Sequence, residues 1–381
     1  MTQAPAKKGL DGVSIGPSRL SLVNGTEGKL IYAGYKIEDL AANASYEEVV
    51  YLLWNDRLPN KQELEALRAA IAAEAVVYPQ VIKHLHEYPK DSNSMAVLRT
   101  AVSELAFYDP DAEDYSLESL RRKAIRMTGQ VTTICAAWAR IRKGQEPVAP
   151  RKDLALSANF MYMLTNAEPE KTAVDAIDAY MVLLTEHGMN ASTFASRVTV
   201  STNSDMHSAI VSAIGTLKGS AHGGANAEAM KMFEEIGEPS NVEPWFITNI
   251  KNGDRRIMGI GHRVYKALDP RAAILRERAE ALAKGNENAK WFEIADSLAK
   301  LARADQYFIE RNLYPNVDYY SAIVLFTLNL DIDMFTPLFA MSRMAGWTSH
   351  IIEQVTDNRL IRPSVDYVGK MDLPWTPIDQ R

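Results

Sequence analysis

Residues 206–219 read MHSAIVSAIGTLKG, and this stretch decides the fold class. Met206, Ala209, Ile210, Ala213, Ile214 and Leu217 follow one another at spacings of 3, 1, 3, 1 and 3. Such spacing lines one face of a helix with about 3.6 residues per turn, and Gly219 ends the run. The same rhythm recurs on both sides of it. Ser45 with Glu48 three residues on forms a capping box ahead of Val49, Leu52 and Leu53, and Pro59 is the stop. Asp269 followed by Pro270 is an N-cap and a first-turn proline, opening a helix that reaches residues 284–285. Trp291, Ile294, Ala295, Leu298 and Leu301 make a further apolar stripe, and Thr336 with Pro337 opens a long helix toward Gln354. Only residues 29–37 look like strand. With no alternating strand–helix rhythm and no fixed-period repeat, the chain is expected to be all-α.

A chain of 381 residues is long enough for more than one domain and a large core. Apolar residues make up 47% and charged residues 24%, which excludes disorder and coiled coil. The net charge of −6, from 42 basic and 48 acidic residues, argues against nucleic acid as a partner. A single cysteine, Cys135, excludes an intramolecular disulfide framework and any multi-cysteine metal site. It lies in the apolar run 131–138 and is expected to be buried. The first twelve residues carry Lys7 and Lys8 without an apolar run behind them, so no secretory signal or transit peptide is expected. The longest greasy stretch, residues 319–330, is too short to span a bilayer. A cytoplasmic protein without a membrane partner is expected.

Pro/Gly-rich breaks fall at residues 108–114, 144–151, 219–224, 237–244 and 253–261. They divide the chain into residues 1–224 as the first part of a large helical domain, 225–327 as a smaller helical domain, and 328–381 as the return to the large domain plus a C-terminal arm.

Seven histidines separate into two groups. His84 and His86, in a polar segment, read as surface; His207 and His350, on helices, read as structural or exposed. The other three stand in unusual settings. His187 ends an apolar helix in Glu-His-Gly-Met-Asn, His222 lies in Gly-Ser-Ala-His-Gly-Gly-Ala-Asn, and His262 lies in Gly-Ile-Gly-His-Arg-Val-Tyr. Flanking glycines allow the backbone close to a ligand, and the segment after His222 runs into a new helix whose N-terminus favours anions. A glycine-flanked histidine can equally cap a turn. No spacing suits zinc, so acid–base or hydrogen-bonding work is expected and no metal.

Arginines add a second constellation. Arg271 falls at the start of the helix opened by Asp269, where the dipole favours an anion. Arg343 is the only Lys or Arg between Pro337 and Arg359, amid Phe339, Met341, Met344 and Trp347. A guanidinium on so apolar a helix needs a partner, either a structural carboxylate or a substrate carboxylate held bidentately. Arg362 precedes Pro363 in the tail. Asp318, in Pro-Asn-Val-Asp-Tyr-Tyr, precedes an apolar helix and is either its N-cap or a base whose pKa the aromatic surroundings raise.

The ordered set His187-Gly-Met-Asn-Ala-Ser, Gly219-x-x-His222-Gly-Gly-Ala-Asn, Gly259-x-Gly-His262-x-Val-Tyr-Lys-x-x-Asp-Pro-Arg271, Pro315-Asn-Val-Asp318, Ser342-Arg343-x-x-Gly-Trp and Arg362-Pro resembles the citrate synthase family. The resemblance spans residues 9–369 and is closest to the shorter bacterial and archaeal forms. It implies two helical domains with the active site in the cleft between them. The implied reaction condenses acetyl-CoA with oxaloacetate and hydrolyses citryl-CoA to citrate and CoA. Asp318 matches the base, His222 the donor to the enol oxygen and His262 the residue that polarises and protonates the keto oxygen. Arg271, Arg343, Arg362 and His187 match oxaloacetate contacts. The resemblance further implies a homodimer, with Arg362 reaching the other subunit's substrate, and no permanently bound cofactor. Lys251, Arg255, Arg256, Arg263 and Lys266 form a basic excess beside His262 suited to coenzyme A phosphates, or a solvated loop. Two rival readings share these residues: a 2-methylcitrate synthase using propionyl-CoA, and an all-α binding protein without catalysis.

Overall fold

The computed structural model describes residues 8–10, 12–285 and 288–381. Lys7 and the other residues of 1–7 lie outside that range. Among the described residues there are seventeen α-helices and one three-stranded sheet, so the fold is all-α. The stretch that decides the class is the helix Met206–Leu217, capped by Asp205, whose side chain accepts from Ser208 N at 2.8 Å. Its six apolar stripe residues are all buried. Asp269 and Pro270 open the helix Pro270–Ala283 as expected, and Ala289–Ala304 carries the stripe that follows it. The helix Phe335–Thr356 runs through the core, packed on Leu117–Ile141, Lys171–Leu184, Ala191–Ser201 and Met206–Leu217. Its middle is buried on every side, Arg343 included.

Cys135 is a buried free thiol on the helix Leu117–Ile141. His84 and His86 stand partly exposed on Pro79–Glu87, and His207 and His350 are buried. No helix among the described residues is long and apolar enough to cross a membrane.

The strand expected over residues 29–37 is corrected in two ways. It breaks into Lys29–Tyr32 and Tyr35–Lys36, and a helix begins at Ile37. A further strand, Ser21–Asn24, pairs antiparallel with Lys29–Tyr32 in the register Ser21↔Tyr32 to Asn24↔Lys29. Four residues with one exposed leucine are too few to announce a strand by alternation; the partner strand supplies what the local pattern lacks.

This hairpin braces two loops. At its tip, Gly25 O accepts from Lys266 N at 2.8 Å and from Ala267 N at 3.3 Å. A Cβ at position 25 would stand 2.1 Å from Val264 O, and one at position 28 would stand 2.6 Å from Leu268 O, so glycine is required for the turn to lie flat on the loop. At its base, Ser21 Oγ donates to Glu186 Oε1 (2.9 Å) and accepts from Gly188 N (3.0 Å). Tyr32 Oη donates to Glu186 O at 2.7 Å. Gly25→Ala is therefore expected to push the 264–268 loop off the hairpin without unfolding the helices. Limited trypsinolysis should cut faster at Arg263 and Lys266, while the stability read by urea unfolding moves by about 1 kcal/mol or less. Unchanged cleavage would mean that the hairpin does not hold the loop.

Candidate active site

His262 and Asp318 are brought together by a backbone clasp. Gly261 N donates to Tyr314 O (2.8 Å), Asn316 N donates to Gly259 O (2.9 Å), and Ile260 pairs with Pro315 as an isolated bridge. Asn316 Nδ2 adds a bond to Gly261 O at 2.7 Å. Gly259 has φ of 78°, and a Cβ there would stand 2.9 Å from Tyr319 Cα, so the clasp closes only on glycine.

Asp318 is not the helix cap. That role falls to Asn316, whose Oδ1 accepts from Asp318 N at 2.9 Å. The Asp318 carboxyl is thus left free at the second residue of Val317–Thr327. Burial raises its pKa to about 6, with Asp269 adding to the rise and Arg271 and Arg343 opposing it.

Hydrogen bonds assign the proton on two histidines. His262 Nδ1 accepts from Val264 N (3.0 Å) and Tyr265 N (3.1 Å), so the ring proton sits on Nε2. His222 is the mirror case. Ser192 N points at its Nε2 from 3.3 Å, with the Ser192 hydroxyl 2.9 Å away, which leaves the proton on Nδ1. Ser192 is itself held by Trp347, whose Nε1 donates to its Oγ at 3.2 Å. Burial, aided by Arg271 and Lys266 at His262 and by Arg343 at His222, lowers both pKa values to about 4. Each ring is therefore neutral at pH 7, with one N–H to give. His187 lies edge-on to His262 with ring centroids 5.6 Å apart, and its Nε2 is 3.2 Å from Tyr265 Oη. Burial and the neighbouring Arg271 and Arg343 keep it neutral as well.

The two buried arginines differ. Arg271 already has a carboxylate: its Nε and Nη2 donate to Asp269 Oδ1 and Oδ2 at 2.9 and 2.8 Å. Asp269 also accepts from Val317 N at 3.2 Å, tying this arginine to the Asp318 helix. Arg343 has none. Its Nε donates to Leu184 O (2.6 Å), its guanidinium lies 4.9 Å from the Phe339 ring centroid, and Nη1 is buried without a hydrogen-bond partner. No carboxylate of the described residues lies within ion-pair distance of it, and only 1% of the residue is exposed. Burial accordingly lowers its pKa.

Arg362 lies elsewhere. It is exposed and lines a separate cavity of about 1000 Å³ with Arg19, Arg121, Arg197 and Arg359. A third opening, about 890 Å³, adjoins His262 and is lined by Lys251, Arg255, Arg256, Arg263 and Arg311 among others. Three of these cations are engaged within the chain: Lys251 with Asp305 (2.5 Å), Arg255 with both oxygens of Glu235 (2.5 and 2.8 Å), and Arg311 more loosely with Glu310 (3.8 Å). Arg256 and Arg263 form no ion pair with the described residues. Lys266 does not line the opening; its backbone is bound to Gly25. Arg311, stacked 4.1 Å over Tyr307, is a cation that spacing around His262 did not reveal. Tyr265, Asp269 and Ser192 were likewise missed, although each lies within or beside a histidine or arginine motif. Among the described residues no group of three His, Cys, Asp or Glu could hold a metal ion.

The arrangement thus offers two neutral imidazole donors, a free carboxyl poised near neutral pH, and a buried guanidinium with an open N–H edge. These are the elements for enolising a substrate and holding a carboxylate beside it. Comparison with known proteins places the whole chain. Residues 9–364 match the family model described as citrate synthase, C-terminal domain. The chain is 45% identical to citrate synthase 2 of Bacillus subtilis, covering 99% of both chains. It is 40% identical to the 2-methylcitrate synthase of Mycobacterium tuberculosis, over 95% of this chain and 90% of that one. Its fold superposes with a TM-score of 0.92, at 36% identity, on the citrate synthase of Thermoplasma acidophilum, solved as a ternary complex with carboxymethyl coenzyme A and oxaloacetate, with 98% and 99% of the two chains covered. The chain belongs to the citrate synthase family.

Proposed function

We propose that this protein is an acyltransferase that condenses acetyl-CoA with oxaloacetate and hydrolyses the citryl-CoA formed. The observation that carries the reading is Arg343. A guanidinium buried with no carboxylate paired to it is costly, and a dicarboxylate ligand is the partner that relieves the cost. Arg271 retains Asp269 and adds positive field rather than a wholly free clamp. In this reading Asp318 takes a proton from the acetyl methyl group. His222 Nδ1–H donates to the thioester oxygen as the enol forms. The enol carbon attacks the keto carbon of oxaloacetate, and His262 Nε2–H donates to the keto oxygen and protonates it as the carbon–carbon bond closes. Water then cleaves the thioester. The chain needs no permanently bound cofactor for this chemistry, and the opening lined by Arg256, Arg263 and Arg311 suits the coenzyme A phosphates.

The reading extends to the division of the chain. His262, Arg271 and Asp318 fall within residues 225–327, proposed as the smaller domain; His187 and Arg343 fall outside it, and His222 lies at the glycine-rich break. Oxaloacetate bridging both sides would favour a closed cleft and exclude water before the acyl group is activated. A cytoplasmic homodimer is part of the same proposal. It is supported by the position of Arg362, which lies away from the histidines of its own chain and on an exposed arm. A 2-methylcitrate synthase is the second reading, favoured by the Mycobacterium relative. One methylene is worth only about 1–3 kcal/mol in an apolar pocket, so turnover with acetyl-CoA and propionyl-CoA decides between them.

Arg343→Leu is expected to weaken oxaloacetate binding by about 2–5 kcal/mol while the chain stays folded, because no carboxylate is hydrogen-bonded to the guanidinium that is removed. Calorimetry and urea unfolding read the two effects separately; unchanged binding would assign Arg343 to structure. Asp318→Asn should lower kcat by about 10²–10⁴-fold with oxaloacetate binding retained. A base works only when deprotonated. The wild-type kcat/KM for acetyl-CoA should therefore fall as pH drops through about 6, the pKa set by burial of Asp318, and the two histidine donors, with pKa values lowered to about 4, should stay neutral throughout that fall. A flat profile from about pH 5 to about pH 8 would remove Asp318 from this role. Mixing an Arg362→Ala chain with a His262→Ala chain should restore part of the activity in hybrid dimers; hybrids as inactive as their parents would return Arg362 to its own subunit.

A further inference from the structure

Glu186 and Arg343 are opposite charges buried beside Gly346, yet they do not pair. A Cβ on Gly346 would stand 2.8 Å from Glu186 Oε2 and 3.1 Å from Arg343 Cδ. Both groups are dry, at 0% and 1% exposure. In so little water the attraction between them is strong, and direct pairing is the expected outcome. Instead each is left with a buried atom that has no hydrogen-bond partner, Oε2 on the glutamate and Nη1 on the arginine.

What keeps them apart is a set of donors gathered on the other carboxylate oxygen. Glu186 Oε1 accepts from Ser21 Oγ (2.9 Å), Gly188 N (2.6 Å) and His350 Nε2 (3.1 Å). The histidine bond is itself enforced from behind. Arg197 Nη1 lies 3.1 Å from His350 Nδ1, and a guanidinium can only donate, so the ring proton must sit on Nε2, facing Glu186. Arg197 is fixed in turn by Glu353 (2.6 Å) and by Gln354 Oε1 (2.9 Å). The line Glu353–Arg197–His350–Glu186 runs through the core to the back of the candidate site, and none of its four residues has a part in the chemistry above.

We infer that His350 and Glu186 are positioning residues for Arg343: His350 holds the Glu186 carboxylate beside Gly346, where it offsets the guanidinium's charge without occupying its N–H groups. The inference rests on the reading of Arg343 as a clamp for oxaloacetate. Freed from His350, the Glu186 carboxylate would turn its unused oxygen to Nη1 and compete with the substrate as an internal carboxylate. The same three donors also fix the turn that leads into His187, so the restraint serves both contacts at once.

The test is a double-mutant cycle on the full chain, reading oxaloacetate Kd by calorimetry and KM and kcat by steady-state assay. His350→Leu should raise Kd and KM about tenfold with kcat at saturation little changed. Glu186→Gln in the same chain should bring both back to within about twofold of wild type, because the competing charge is gone. His350→Gln, whose amide can still donate, should stay near wild type. Ser21→Ala loosens the same carboxylate from a half-buried position without opening a core cavity, so it remains informative if His350→Leu does not fold; it should raise Kd in the same direction, and Glu186→Gln should again suppress the effect. Wild-type affinity in both His350→Leu and Ser21→Ala, or a rise in Kd that Glu186→Gln does not reverse, would overturn the inference and assign the line to packing. A wild-type protein that binds no oxaloacetate would instead overturn the proposed function, and this inference with it.

Discussion

A guanidinium inside the apolar middle of Phe335–Thr356 governs much of what surrounds it. A charge there must be stabilised by something, and the chain supplies one backbone carbonyl, an aromatic face and the field of Glu186, a carboxylate that does not pair with it. Everything close by bears the mark of that restraint. His187, His222 and Arg271 lie in its field, and the nearest buried carboxylate is engaged elsewhere. A core designed for stability alone would place leucine at this position, since apolar replacements of buried charge are often neutral or stabilising. The helix therefore gives up stability to keep a positive group dry and open. In the proposed reaction a group so buried would act on a bound anion with far less screening than a surface arginine.

Around this fixed charge the titratable groups are driven in directions that suit their neighbours. Positive field and burial both disfavour a charged imidazole, so the histidines remain neutral donors. Burial disfavours a charged carboxylate too, but the same positive field opposes it, and the Asp318 pKa settles at about 6 rather than higher. In the proposed reaction, one arrangement of charge would separate the roles: donors that keep their protons and a base that can take one.

The helices were legible because an apolar stripe at helical spacing is a local property, and Met206–Leu217 and Ala289–Ala304 needed nothing beyond their own residues. The three histidines stood out through their glycine neighbours, and Arg343 stood out as a lone cation on a greasy helix. Other features depend on where the chain returns. Ser21–Asn24 is a strand only because Lys29–Tyr32 lies beside it. Asp318 reads as the cap of its helix, and only the backbone path decides that Asn316, two residues earlier, takes the role and frees the aspartate. Lys251 and Arg255 look like free cations until the fold brings Asp305 and Glu235 to them. Charge pairing over tens of residues leaves no periodic trace, so a basic cluster read from spacing overstates the positive charge available.

The proton on each of two site histidines is located by main-chain N–H groups, those of Val264 and Tyr265 for one ring and of Ser192 for the other. A backbone amide is the same group whatever side chain it carries. Most substitutions at those three positions would leave the donor in place, and with it the choice of ring nitrogen. The tautomers are inherited with the course of the backbone rather than with particular residues. A lineage can then drift widely in the loops around such a site, adjusting charge, packing and working temperature, while the hydrogen that matters stays on the same atom.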